Sequence, residues 1–109
     1  MGCHNLAKNQ AGQPADVIAV RDGKSYLIDC KVCSRGRFPF SRIEDNQHTA
    51  MRAWQESGNG TGWFALKCEG YIFMLDYDTL KRLSKTQSSI SFRDMCFYGR
   101  VLEAWVVFA

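Results

Sequence analysis

The sequence contains no apolar run of the length needed to cross a bilayer, so we expect neither a transmembrane helix nor a membrane partner. Its first residues, MGCHNLAKNQAGQ, lack the charged and apolar regions of a signal peptide. Both absences predict a cytoplasmic protein.

The sequence has few histidines and an odd number of cysteines. The chain has two histidines and five cysteines. Cys30 and Cys33 form a C-x-x-C motif, but no second pair follows at zinc-ribbon spacing. We therefore predict reduced thiols rather than a disulfide framework or a zinc site. The segment SGNGTG lacks the Gly-Lys-Ser/Thr ending of a phosphate-binding loop, which argues against a nucleotide site.

What the sequence does have is the composition of one folded domain. Its 109 residues are 46% hydrophobic and 13% aromatic, so we predict one domain with one core over residues 1–109. Residues 1–15 are polar and are expected to be an irregular lead-in. The net charge of +3 permits nucleic-acid binding without arguing for it.

Apolar runs predict four strands, over residues 17–20, 26–32, 63–68 and 71–75. The dipeptide Asp22-Gly23 is typical of a two-residue hairpin turn and should join the first two strands. Residues 33–40 form a basic segment that is predicted to be a loop. The resulting order of elements predicts a compact α/β fold.

Helices are predicted from capping and spacing signals. Ser41 and Glu44 form an S-x-x-E capping box, which predicts a helix running to about Glu56. A short helix is expected near residues 79–85. Residues 101–108 are compatible with a strand, and residues 91–98 with either a strand or a helix.

The hairpin register raises a question about charge. Counting outward from the turn, Asp16 lies opposite Asp29, and like charges at such a separation repel. Side chains alternate along a strand, so Asp29 and Lys31 share a face while Cys30 points to the other side. Two carboxylates and one ammonium group are therefore expected on one patch.

A divalent metal ion would explain this arrangement, because hard cations take oxygen ligands and two carboxylates stand near backbone carbonyls. The alternative is that these residues are ordinary polar strand ends near solvent. The residues alone leave both interpretations open.

A glutamine on the first predicted helix bears on this choice. Gln47 lies within an apolar stripe formed by Ile43, Ala50, Met51 and Trp54. A buried amide needs hydrogen-bond partners, and a helix packed on the sheet would direct Gln47 toward the hairpin. The alternative is a glutamine at the edge of the stripe that reaches water.

The ordered set P-A-D, D-C-K and a helix bearing Gln resembles the PD-(D/E)xK nuclease superfamily, and in detail the RecU-type Holliday junction resolvases. The similar stretches are PADVIAVRDGKSYLIDCKV, FPFSRIEDNQHTAM and GTGWFALKCEGYIFMLDYDTL, and the likeness runs from about residue 13 to residue 83. The resemblance implies a restriction-endonuclease-like fold, with a mixed central β-sheet flanked by α-helices.

The resemblance also implies roles for individual residues. Asp16, Asp29 and the backbone carbonyl of Cys30 would bind the metal ion, which is magnesium or manganese in the family. Lys31 would help to activate water or stabilise the transition state, and Gln47 would be a positioning residue. The implied substrate is branched DNA, and the implied assembly is a homodimer.

The sequence departs from the family pattern at two places. Asp29 stands where the family more often has Glu, and residues 1–15 contain neither Asp nor Glu, whereas such nucleases usually carry an acidic residue on an N-terminal helix. One alternative is therefore a degenerate nuclease-fold module that binds branched DNA or a protein partner without cutting. Another is a restriction-type nuclease that reads sequence.

Basic residues follow the D-C-K motif directly. Arg35, Arg37 and Arg42, with Phe38 and Phe40 between them, are candidate contacts to DNA phosphates. A solvated charged loop is the alternative interpretation.

Overall fold

The computed structural model describes residues 2–5 and 16–108 of the chain, with side chains over 17–107. The strands are β1 (Gly2–Asn5), β2 (Asp16–Arg21), β3 (Lys24–Val32), β4 (Arg37–Pro39), β5 (Trp63–Cys68), β6 (Tyr71–Asp76), β7 (Ser89–Ser91) and β8 (Arg100–Val101). The helices are α1 (Asp45–Trp54), α2 (Tyr77–Leu83), α3 (Phe92–Tyr98) and α4 (Leu102–Phe108).

Within the described residues, six strands form one sheet in the order β1-β2-β3-β5-β6-β8. The β3–β5 pair is parallel and the other neighbours are antiparallel, so the sheet is mixed. Strands β4 and β7 form a separate antiparallel pair. The predicted α/β class with a mixed sheet and helices is therefore confirmed at this level.

The β2–β3 hairpin follows the predicted register. Asp22 and Gly23 have φ values of 52° and 78°, as a two-residue turn with both central residues at positive φ requires. Arg21 pairs with Lys24 across this turn, and the ladder continues outward until Asp16 stands opposite Asp29.

Apolar side chains on the two faces of the sheet form two core clusters. The first core cluster comprises Leu27, Phe38, Ile43, Met51, Phe64, Leu66, Cys68, Phe73, Leu75, Tyr77, Leu80, Leu83, Ile90 and Met95. The second core cluster comprises Ala19, Tyr26, Ile28, Met74 and Trp105. Because side chains alternate along β3, Leu27 and Ile28 point to opposite faces, with α1, α2 and α3 packed on the first and α4 on the second.

Close packing of α1 on the sheet depends on one glycine. A side chain at Gly62 would overlap the sulfur of Met51, which is buried in the first core cluster. The carbonyl of Gly62 also accepts the N–H of Tyr77 at 2.9 Å. Gly62 therefore lets α1 lie against the start of β5.

Several predicted boundaries are wrong. The first helix starts at Asp45 rather than after Ser41, since Phe40–Arg42 forms a short 3-10 turn, and Gln47 caps the N–H of Glu44 instead. The helix ends at Trp54 and a wider turn, Gln55–Asn59, follows it. The predicted short helix begins earlier, at Tyr77, because Asp76 accepts hydrogen bonds from Thr79 and caps it.

The ends of the chain also differ from expectation. Residues 102–108 form the helix α4 rather than a strand, because Leu102, Trp105 and Val106 then pack together on the second core cluster. The segment 91–98 is mostly helix. Within the predicted irregular lead-in, Gly2–Asn5 is a strand paired with β2, and residues 6–15 lie outside the described residues. None of the helices in the described part of the chain is long and apolar enough to span a membrane.

Candidate functional site

Three polar side chains are buried in the part of the chain whose side chains are described. They are Asp29, Lys31 and Gln47, with exposed fractions of 1%, 7% and 6%. Burying a charge or an amide costs free energy that a polar surface position does not. These three positions are therefore the candidates for functional residues, and Asp29 and Lys31 among them lie together.

Strand β3 places the two charged groups. Asp29 and Lys31 follow Leu27 at alternate positions and share its face of the sheet, which is the face of the first core cluster. Their neighbours on β5 are Phe64 and Leu66, both 0% exposed. Carboxylate and ammonium groups thus lie in apolar surroundings.

The two charges lie near each other. The distance from Lys31 Nζ to Asp29 Oδ1 is 4.0 Å, beyond the reach of a direct hydrogen bond but within ion-pair range. Removing an ion from water costs several kcal/mol, which mutual attraction at this distance only partly offsets. A buried pair with this geometry is a weak stabiliser and a candidate for chemistry.

The remaining predicted metal ligands lie on the same hairpin. Asp16 is the register partner of Asp29, and its side chain lies outside the described residues. The side chain of Cys30 is exposed on the opposite face from Asp29, so only its backbone carbonyl belongs with the predicted ligand set. Among the side chains that the structure describes, no group of three or more His, Cys, Asp or Glu could hold a metal ion.

Gln47 is buried rather than in contact with water. Its Oε1 accepts the N–H of Glu44 at 2.9 Å, which fixes the amide at the start of α1. Ile43 and Met51 of the predicted stripe are buried, whereas Ala50 is exposed at its margin, contrary to prediction. Within the described residues, Gln47 makes no hydrogen bond to the charged pair on β3. The sequence feature that predicts the burial of Gln47 is its spacing from Met51, which places both side chains on one face of α1.

The basic segment after β3 contains a tight turn and then β4, rather than being loop throughout. Ser34 and Arg37 exchange two backbone hydrogen bonds of 3.1 and 3.0 Å, and Arg35 has a φ of 54° between them. The Arg35 side chain is exposed and makes no hydrogen bond or ion pair with any residue that the structure describes. Arg35 is therefore available to a ligand.

The other two predicted DNA contacts are tied to the protein. Arg37 Nη1 donates to Ser89 Oγ at 2.8 Å, which links β4 to β7. Arg42 Nη1 donates to the carbonyl of Val32 at 2.6 Å, and its guanidinium lies 5.4 Å from the centre of the Phe38 ring. Arg42 therefore holds the segment against the residue that follows Lys31.

Two paired groups were not anticipated from the sequence. His48 Nδ1 and the hydroxyl of the buried Tyr77 share a hydrogen bond of 2.6 Å, between α1 and α2. Burial, followed by the charge of Arg52, lowers the pKa of His48 below its usual value of 6.5. The thiols of Cys33 and Cys68 also lie together, although none of the four cysteines with described side chains forms a disulfide. Neither pair has a local sequence signal, since both depend on contacts between elements far apart in the chain.

No protein-family model matches this chain, and no curated protein matches it.

Proposed function

We propose that the chain is a metal-dependent DNA endonuclease that selects branched DNA, such as four-way junctions, in recombination or repair. The proposal includes a restriction-endonuclease-like fold, a homodimer, and Mg²⁺ or Mn²⁺ as the metal. One observation carries it. The three polar residues buried among the described side chains, Asp29, Lys31 and Gln47, are three of the four catalytic positions that the resemblance to the nuclease superfamily implies.

Net charge supports a divalent cation at this site. Lys31 balances one carboxylate, and Asp16 at the opposed register position adds a second negative charge to the hairpin. Two carboxylates and a carbonyl are hard oxygen donors, which suit Mg²⁺ or Mn²⁺. When bound, such an ion supplies an activated water and neutralises charge on phosphate oxygens.

The residues of the chain would then act in fixed positions. Burial holds the Lys31 ammonium on the Asp29 side of β3, where it can stabilise negative charge that develops on the phosphate. The bond from Glu44 to Gln47 fixes the amide of a positioning residue. Arg35 offers an unengaged cation at the end of the same strand for a backbone phosphate.

A second candidate is a module with this fold that binds branched DNA or a protein partner without cutting. Two observations favour it. Residues 1–15 contain neither Asp nor Glu, and Gly2–Asn5 is a strand, whereas the resemblance implies an acidic residue on an N-terminal helix. The two candidates differ in whether the chain cleaves the DNA that it binds.

Cleavage of a labelled four-way junction and of a linear duplex, each with and without magnesium, tests the proposal. We expect magnesium-dependent cleavage of the junction and a loss of at least about 100-fold in rate in Asp29→Asn. Asp22→Asn is the matched control, because it removes one exposed carboxylate from the same hairpin and Asn tolerates the positive φ at that turn.

Each other outcome contradicts the proposal in a different way. Junction binding without cleavage by the parent chain would support the binding module. Cleavage of the linear duplex at one sequence, with no preference for junctions, would support a restriction-type nuclease. Equal loss of activity in the two variants would show that Asp29 has no special role.

A further inference from the structure

Two cysteines lie side by side where β3 and β5 end. The parallel register pairs Val32 with Lys67, and the N–H of Cys33 donates to the carbonyl of Lys67 at 2.9 Å, which continues the ladder by one step. Cys33 therefore stands beside Cys68.

Both thiols point to the same face of the sheet. Cys33 follows Lys31 by two positions and Cys68 follows Leu66 by two, and both side chains contact the first core cluster. The two thiols lie close enough that Cys68 contributes to raising the pKa of Cys33. Cys68 is 3% exposed and Cys33 is half-buried, so Cys33 is the more accessible of the two.

We propose that Cys33 and Cys68 form a reversible disulfide by exchange with a low-molecular-weight disulfide of the glutathione class. This site is separate from the nuclease activity proposed above and does not depend on it. The C-x-x-C motif gives a different pairing, but Cys30 points to the opposite face of β3 and is exposed.

Strand geometry permits the bond. Neighbouring strands lie about 4.8 Å apart, within the range of about 4.4 to 6.8 Å that separates Cα atoms across a disulfide. The bond would therefore need only a small local adjustment at the strand ends.

The chemistry balances in two exchange steps. The Cys33 thiolate attacks the small disulfide, which forms a mixed disulfide and releases one thiolate that takes up a proton. The Cys68 thiolate then attacks the sulfur of Cys33, forming the protein disulfide and releasing the second small thiol. The protein loses two electrons and two protons, and one small disulfide becomes two thiols.

The rate should depend steeply on pH. Burial and the adjacent Cys68 raise the pKa of Cys33 to about 12, so its thiolate is rare at neutral pH. Each unit of pH increase should accelerate bond formation by about tenfold while the pH remains well below that pKa. The two thiols are thus stable in the reduced state and oxidise slowly.

The bond would join two strands at the edge of the candidate site. Cys33 lies two positions beyond Lys31 on β3, and it begins the segment that carries Arg35. Oxidation would lock this end of β3 to β5, whereas the reduced form is held there by backbone hydrogen bonds and packing.

Peptide mapping under non-reducing conditions tests the inference. The full chain is incubated with oxidised glutathione at several pH values, free thiols are alkylated, and the digest is analysed by mass spectrometry. We expect a peptide that joins Cys33 to Cys68, that disappears on reduction, and that forms about tenfold faster for each pH unit. Cys33→Ser should abolish this peptide, and Cys30→Ser, the matched control at the other cysteine of the C-x-x-C motif, should retain it.

The opposite result is also specific. Glutathione adducts on the exposed Cys30 and Cys96, with Cys33 and Cys68 both recovered alkylated, would overturn the inference. A peptide joining Cys30 to Cys33 would overturn it as well. The unsubstituted protein is sufficient for this test. The result therefore does not depend on whether a variant at the buried Cys68 folds.

Discussion

Asp29 and Lys31 lie among side chains that water does not reach, with Phe64 and Leu66 as their neighbours on β5. In such surroundings the attraction between the two charges matters, and loss of one of them would raise the cost of burying the other. A hydrophobic pair of similar size would cost less to bury. We infer that these residues serve chemistry rather than stability.

Part of this arrangement could be predicted from local sequence. The Asp22-Gly23 turn sets the register, and alternation then puts Asp29 and Lys31 on one face. Burial could not be predicted, because it depends on β5 pairing in parallel with β3 after a connection of some thirty residues. For that reason the sequence is equally compatible with a metal site and with ordinary polar strand ends near solvent.

A prediction at the residue scale concerns the hydrogen bond between His48 and Tyr77. Because the pKa of His48 is lowered in the folded state, the unfolded chain binds a proton first as the pH falls through 6.5. The stability contributed by neutral His48 is therefore present above pH 6.5 and is lost below it. We expect Tm to fall more steeply in the parent than in His48→Gln as the pH decreases below 6.5.

The comparison isolates one group, since every other titratable residue is common to both proteins. Parallel melting curves over the same pH range would contradict the lowered pKa. A shallower fall of Tm with decreasing pH in the parent than in His48→Gln would show that the pKa of His48 is raised rather than lowered.

At the scale of elements, strands were easier to predict than helix boundaries. The strand Trp63–Cys68 matches its predicted bounds, because an apolar run between turn residues has few alternatives. The predicted start of α1 is wrong because Glu44 ends one capping signal with Ser41 and begins another with Gln47, and the second is the one that forms. Local signals of equal quality are resolved by packing, here by burial of Gln47 and Met51.

The C-terminal helix shows a tertiary effect on a sequence with strong β-propensity. Val101 and the valines near the end of the chain favour a strand. The helix α4 wins because it brings Trp105 onto the second core cluster, where its ring lies 5.2 Å from Tyr26 and 5.3 Å from Trp63. Local propensity contributes less than burial of a large aromatic side chain.

A prediction at this scale concerns the turn between β3 and β4. Arg35→Ala should weaken binding of junction DNA and reduce the slope of log affinity against log salt by about 0.9, because one phosphate contact is lost. The double variant with Arg37→Ala should also loosen β4 from β7, since Arg37 bonds to Ser89. Arg35 alone is thus the cleaner test.

Arg82→Ala is the matched control, because it removes an exposed arginine from α2 with the same change in net charge. Its affinity and salt slope should stay close to those of the parent. If Arg35→Ala also leaves both unchanged, the turn is a solvated charged loop.

At the scale of the whole molecule, the order of strands in the sheet decides which side chains are neighbours, and local sequence patterns do not predict that order. The parallel β3–β5 pair brings hydrophobic residues beside the charged pair and sets Cys33 beside Cys68. The pairing of β1 with β2 and of β4 with β7 is similarly non-local. The α/β class followed from the order of elements, whereas these neighbours follow only from the folded chain.

The central claim is that Asp29 belongs to a divalent metal site, and thermal melting with and without magnesium tests it most directly. A ligand that binds only the folded state at about 100 times its Kd adds about 2.7 kcal/mol, which raises Tm by on the order of 10 °C in a domain of this size. Sodium chloride at matched ionic strength controls for screening.

Each variant is compared with itself, so the loss of the Lys31 ion pair in Asp29→Asn does not affect the comparison. We predict a magnesium-dependent rise in Tm for the parent and for Asp22→Asn, and little or none for Asp29→Asn. No rise in the parent, or an equal rise in Asp29→Asn, would contradict the metal site.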